Sequence, residues 1–303
     1  MKPTNHQYAY FQIHAAVVLF GFTAILGDLI QLPAVMIVWW RVLITSVSLL
    51  FFIQFGKKIR DLPGHQIRTY AFIGVIIGFH WICFYGSVKL ANASVALICM
   101  STTSIFTSLI EPLLIRTKFN KLELILGAMI IPGMVLIVNS IDLTYIPGVW
   151  VGLASAFLAA IFSTLNKANI KEADPYTISF IELSSAWGMI SILVLFLFIS
   201  GNAPSSMIPE DITGWYYLLL LSLLCTTLAH VLSLKALKHL SAFASNLVIN
   251  LEPVYGILLA IFLLNEHKEL NLMFYVGCLI IIVVVLSYPF LNRKYNHQKI
   301  EHA

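Results

Sequence analysis

Residues 69–116 read TYAFIGVIIGFHWICFYGSVKLANASVALICMSTTSIFTSLIEPLLIR, with Lys89, Glu111 and Arg116 as their charged side chains. A bilayer core of ~30 Å takes up ~20 helical residues, so this stretch is too long for one crossing and serves two. The polar marks between Lys89 and Ala93, Asn92 among them, divide it. Lys235–Ser241 is the other shallow break. Reading both as true helix ends sets the number of crossings at ten.

The apolar runs fall at 8–27, 34–55, 69–88, 91–116, 122–140, 147–168, 176–199, 213–236, 240–263 and 271–291. Ten spans use roughly 200 residues. In a chain of 303 residues that leaves short loops and no soluble catalytic domain. The chain is 59% hydrophobic and 11% charged, against about 25% charged in soluble proteins. Together with a mean hydropathy of +0.90, this excludes disorder, collagen-like repeats and a water-soluble globule. The expected fold class is an all-α integral membrane protein of ten transmembrane helices.

With a cytoplasmic N-terminus, only Lys89 and Lys268 of the 18 Lys and Arg residues fall outside, while Arg41 lies within a helix. That bias supports the count and places both termini on the cytoplasmic side of the inner (plasma) membrane. Trp150 and Trp215-Tyr216-Tyr217 sit at outer boundaries, where amphipathic rings act as anchors. Only Lys2 precedes the first run and no cleavage site follows it, so the run reads as a retained helix. Cys83, Cys99, Cys225 and Cys278 lie singly in apolar stretches, indicating neither disulfides nor zinc. No cofactor and no nucleic-acid partner is expected.

The halves 1–145 and 146–303 also resemble each other. With Leu32-Pro33 over Asp174-Pro175, Phe20-Gly21-Phe22-Thr23 falls over Phe162-Ser163-Thr164-Leu165. A slightly longer offset sets Ser94 over Ser241 and, further on, Gly127 over Gly277. Five helices per half is an odd number, so the second half must enter the membrane from the opposite side. Two inverted five-helix repeats are expected, an arrangement that many transporters place around a midplane site.

An ionisable group at a membrane helix centre costs about 2.5–3.5 kcal/mol, so each needs a partner or a role. The candidates are Arg41, His80, Glu111, Glu182, His230 and Glu252. Glu252 lies ~18 Å into its helix, near the midplane. Pro253 follows it and, lacking an N–H, leaves the Ile249 carbonyl unpaired, which predicts a kink. Asn246 and Asn250 share a face from which Glu252 turns away, and they either meet substrate or bond neighbouring helices. Glu182 has no base within one turn. It and Glu252 are candidates for proton coupling, since a desolvated carboxyl can release and rebind a proton. A structural bond to another helix is the alternative for Glu182.

Arg41, in Trp39-Trp40-Arg41, can counter an anionic substrate group and stack on rings, or snorkel outward. His80, with Trp81 beside it and Tyr85 further along, is either a ligand or hydrogen-bonded packing. The expected substrate-binding set is Arg41, His80, Trp81, Tyr85, Asn246 and Asn250. His230 and Glu111 read as interfacial, Glu111 offset by Arg116 or Lys118. Thr102, Thr103, Ser163 and Asn166 offer hydrogen bonds to a cavity or close helix contacts. Gly74-x-x-x-Gly78 and Gly148-x-x-x-Gly152 indicate packing.

No G-x-x-x-x-G-K-[ST], H-E-x-x-H or G-x-S-x-G motif occurs, which excludes ATP-driven pumping by this chain alone. Leu251-Glu252-Pro253-Val254, Leu264-Asn265-Glu266 and Gly277, with Phe20-Gly21-Phe22 and Arg41, resemble the pattern of the EamA-type branch of the drug/metabolite transporter superfamily. Phe106 stands where the first-half proline would be, and Thr117-Lys118 replaces the usual Gly-Glu turn. The resemblance implies a secondary carrier, often an exporter of amino acids or related metabolites, with a central cavity between repeats. Its partners would be a small-molecule substrate and the bilayer, with a homodimer as one assembly option. Two other classes compete. An intramembrane lipid-modifying enzyme could use the same acids and histidines, and a channel would need a row of like residues along one helix face. Saturation and counterflow separate carrier from channel.

Overall fold

The computed structural model describes residues 5–53, 57–138, 142–253, 255–256, 259 and 272–301, and among these no strand occurs. The α-helices of eight or more residues are α1 (Asn5–Leu29), α2 (Ala34–Leu49), α3 (Gly64–Leu90), α4 (Ala93–Ser101), α5 (Thr103–Ile115), α6 (Lys121–Ala128) and α7 (Ile130–Val138). They continue with α8 (Ile146–Asn169), α9 (Pro175–Ile199), α10 (Ile212–Ser222), α11 (Ala229–Leu237), α12 (Ala242–Ile249) and α13 (Leu272–Glu301). Among the described residues, six segments are long and apolar enough to span a bilayer: His6–Leu29, Gly64–Leu90, Ala93–Ile115, Leu143–Asn169, Pro175–Ile199 and Ile212–Leu237.

Caps fix the helix ends. The shallow break at Lys89–Ala93 is real, because the Asn92 side chain accepts the Val95 N–H at 2.8 Å and starts α4. At the other shallow break, Ser241 does the same for Ala244 at 3.0 Å and starts α12. Asn92 and Ser241 thus play the same capping part. Asp174 caps α9 through Tyr176 and Thr177.

Several runs read as continuous helices are interrupted. The second ends at Leu49 instead of near 55, the fourth breaks at Thr102, and the fifth breaks at Met129. In the eighth, Leu223–Leu228 form a π turn between α10 and α11. The ninth stops at Ile249, turns through Asn250 and Leu251, and resumes at Glu252 and Pro253. The last of these has the expected cause: a helix approaching proline must surrender a hydrogen bond. Val254, Leu264-Asn265-Glu266 and Lys268 lie outside the described residues.

Packing runs α3 along α8 and α9, α1 along α11, α2 along α9 and α10, α5 along α8, and α7 along α13. Two glycines permit close approaches between helices. A Cβ on Gly74 would overlap the Glu182 carbonyl, and one on Gly152 would lie 2.7 Å from Cys99 Cβ and 2.8 Å from Ser87 Oγ. Polarity is arranged as lipid demands. Phe72, Ile192, Leu195 and Phe196 face outward, whereas Arg41, Glu182, Asn246 and many hydroxyls are buried.

Candidate functional site

Helices from both halves of the chain line a partly open cavity of about 90 Å³. Its wall combines aromatic rings (Phe20, Trp81, Phe84, Phe162) with polar groups that include Arg41, His80, Thr103, Asn166, His230, Asn246 and Glu252. This mixture of an apolar surround and a few fixed polar groups is that of a small-molecule site.

Arg41 is 2% exposed and does not snorkel. Its Nε donates to Thr226 Oγ1 at 2.6 Å, Nη1 to Tyr85 Oη at 2.7 Å and Nη2 to the Cys225 carbonyl at 3.5 Å. The guanidinium carbon sits 4.1 Å from the Trp81 ring centroid. The π turn supplies the acceptors: its wider winding presents Thr226 and the Cys225 carbonyl to α2, while the Thr226 hydroxyl donates back to the Leu221 carbonyl at 2.7 Å. No carboxylate among the described residues pairs with Arg41. The charge is therefore held by neutral acceptors and an aromatic face, with N–H groups left over for whatever enters.

Glu252 lies just beyond the break in the ninth run, where the turn at Asn250–Leu251 redirects the chain. That break lets Asn246 and Glu252 line one cavity, which a straight helix would forbid. Glu252 Oε1 lies 3.5 Å from Thr23 Oγ1, whose hydroxyl donates to the Phe20 carbonyl at 2.6 Å. Asn246 ties α12 to α5 and α8 through Thr107 Oγ1 (2.8 Å) and Ser163 Oγ (2.6 Å). His80 Nδ1 lies 2.9 Å from the Ser155 carbonyl oxygen, which fixes the ring on α8. Thr103 Oγ1 and Asn166 Oδ1 are buried without a hydrogen-bond partner.

Of the expected binding residues, Arg41, His80, Trp81 and Asn246 line the cavity. Tyr85 lies behind the wall and orients Arg41. Asn250 is turned away, because the break rotates it toward α5, where its Nδ2 donates to Ser104 Oγ at 2.8 Å. Glu182 is also outside the wall, fully buried, with Oε2 at 3.0 Å from His230 Nε2. The base absent from its own helix thus comes from α11. His230 is not interfacial but lines the cavity. Glu111 is not offset by Arg116 or Lys118; its carboxylate accepts the Ala242 (3.2 Å) and Phe243 (2.8 Å) N–H groups at the start of α12.

The wall residues not singled out as ligands from the sequence include three aromatic ones, Phe20, Phe84 and Phe162, and the hydroxyl residues Thr23, Ser233 and Ser245. The repeat match held a signal, since it sets Phe20 over Phe162, and the structure puts both in the wall.

A family model described as EamA-like transporter family matches the chain twice, at residues 7–139 and 146–288. An uncharacterized transporter of Clostridium kluyveri is 24% identical over 254 residues, covering 80% of this chain and 78% of its own. A crystal structure superposes with a TM-score of 0.71, covering 95% of this chain and 98% of that one at 14% identity, which shows a shared fold.

Proposed function

The chain belongs to the EamA-like transporter family, and from that premise we propose that it is a secondary carrier exporting small organic metabolites such as amino acids across the inner membrane. Two five-helix repeats of opposite insertion, ten crossings in all with both termini cytoplasmic, would rock about the cavity and expose it to either side in turn. One observation carries this reading: Arg41 and Glu252 line the same cavity without pairing with each other. A solute bearing both a carboxylate and an amine satisfies both, and the four rings accommodate an apolar side chain. Glu182 and Glu252 are the two carboxylates between which the proton site of such a carrier is to be sought. The work is transport rather than catalysis.

The test is counterflow in liposomes preloaded with the twenty protein amino acids, assayed by mass spectrometry. Saturable exchange of at least one, lost in Glu252→Gln, supports the reading. Absence of exchange for every member contradicts the amino-acid assignment, and chemical conversion of lipid by the purified protein contradicts carriage.

A further inference from the structure

We propose that the proton-binding site of this carrier is the Glu182–His230 pair, loaded from the cavity through His230, while Glu252 serves the substrate. The proposal rests on the carrier reading above and adds the coupling ion and its address.

The two carboxylates occupy unlike settings. Glu252 lines the cavity itself and, among the described residues, its carboxylate has only the Thr23 hydroxyl at 3.5 Å beside it, so a bound amine can reach it. Glu182 is absent from the wall and fully buried, and its Oε1 lacks a hydrogen-bond partner. A solute cannot touch it, but a proton can be passed to it. His230 bridges the two regions: its Nε2 is 3.0 Å from Glu182 Oε2, and the residue belongs to the cavity wall. Asn166 of α8 lines the same wall and interacts with Glu182.

The proton balance is simple. With Glu182 ionised and the imidazole neutral, Nε2–H donates to Oε2 and Nδ1 keeps its lone pair, giving the pair a charge of minus one. A proton taken at Nδ1 forms imidazolium and brings the pair to neutrality. Release from Nδ1 restores the charge. An unneutralised carboxylate in this setting is unfavourable, so the unloaded pair favours whichever arrangement of α9 and α11 admits water or a bound cation. That differential is what couples the proton to the movement of one helix against the other.

Other charged groups are placed so as not to usurp this role. Tyr70 on α3 is within electrostatic range of Glu182, and its hydroxyl is committed to the Asn169 carbonyl at 2.9 Å. Lys235 on α11 donates to the Tyr176 hydroxyl of α9 at 3.1 Å. Arg41 on α2 and Glu252 line the cavity. Gly74 on α3 abuts the Glu182 backbone, which holds α9 against α3 and presents the carboxyl toward α11.

Two measurements on the full-length protein test this. The first is the pH-induced infrared difference spectrum in detergent, with no solute added. A titrating carboxylate–imidazole signal in wild type, missing from both Glu182→Gln and His230→Gln and retained in Glu252→Gln, is expected. Its persistence in either of the first two variants overturns the proposal. The second uses liposomes, the membrane potential clamped at zero and the amino-acid pool as probe. A gradient of one pH unit should drive about tenfold accumulation by a one-for-one proton exchanger. Glu182→Gln should keep counterflow at equal pH and lose that accumulation. Accumulation equal to wild type, or equal loss of both modes in a protein of unchanged gel-filtration profile, overturns it. If wild type moves no pool member in either mode, the amino-acid reading fails and the infrared result alone decides the proton site.

Discussion

Arg41 carries its buried charge on neutral oxygens and a ring face, an arrangement that a lysine ammonium cannot reproduce because it lacks the planar fork. Arg41→Lys should therefore lower amino-acid counterflow roughly tenfold or more, at ~1.5–3 kcal/mol per charged hydrogen bond. Tyr85→Phe, which removes one acceptor from behind the wall, should cost only severalfold in the same assay. At this scale the sequence was informative where burial is costly: Arg41, His80, Asn246 and Glu252 stand out because an apolar helix tolerates few such residues. It marked His230 but read it as interfacial, whereas the residue lines the cavity. Depth counted along a helix gives distance from its end, not direction, and the partner that draws His230 inward lies on α9. Asn250 was misplaced for the opposite reason, since the turn that separates it from Asn246 is absent from any straight-helix projection.

Broken helices do much of the positioning at the element scale. Interruptions at Thr102 and at Asn250–Leu251 adjoin wall residues, the π turn reaches the cavity through its bonds to Arg41, and only the break at Asn250–Leu251 has a proline to announce it. The π turn holds one residue more than an α-helix would. Deleting lipid-facing Leu224 should close it to α-helix and leave α11 in register against α1. The variant should fold and withstand heat as well as wild type, yet lose counterflow because Thr226 no longer meets Arg41. A drop in melting temperature with counterflow intact would refute that role. Helix contact is tested by glycine: Gly74→Ala, which forces a Cβ onto the Glu182 carbonyl, should destabilise by about 1–3 kcal/mol. Gly188→Ala meets nothing within 4 Å and should be neutral or slightly stabilising in the same thermal melts. Glu111→Gln removes a charge from the start of α12 and should cost ~1 kcal/mol.

Across the whole molecule apolar side chains cover the outer helix faces. Of the described Asp, Glu, Lys and Arg residues only Arg41, Glu182 and Glu252 are buried, the others lying toward helix ends and loops. That much follows from composition and the spacing of punctuation, which is why the helical class and the family were legible. The interior was not, because every contact that defines it joins residues far apart in the chain. The central claim is that the two halves expose one cavity to opposite sides in alternation. It is tested most directly by placing a single cysteine at Thr103, a wall residue with an uncommitted hydroxyl, in a background with the native cysteines replaced. A membrane-impermeant maleimide is then applied to sealed vesicles of each orientation. Labelling from both sides, shifted toward one side by a bound solute or a pH change, is the expected result. Labelling confined to one side under every condition would contradict the account.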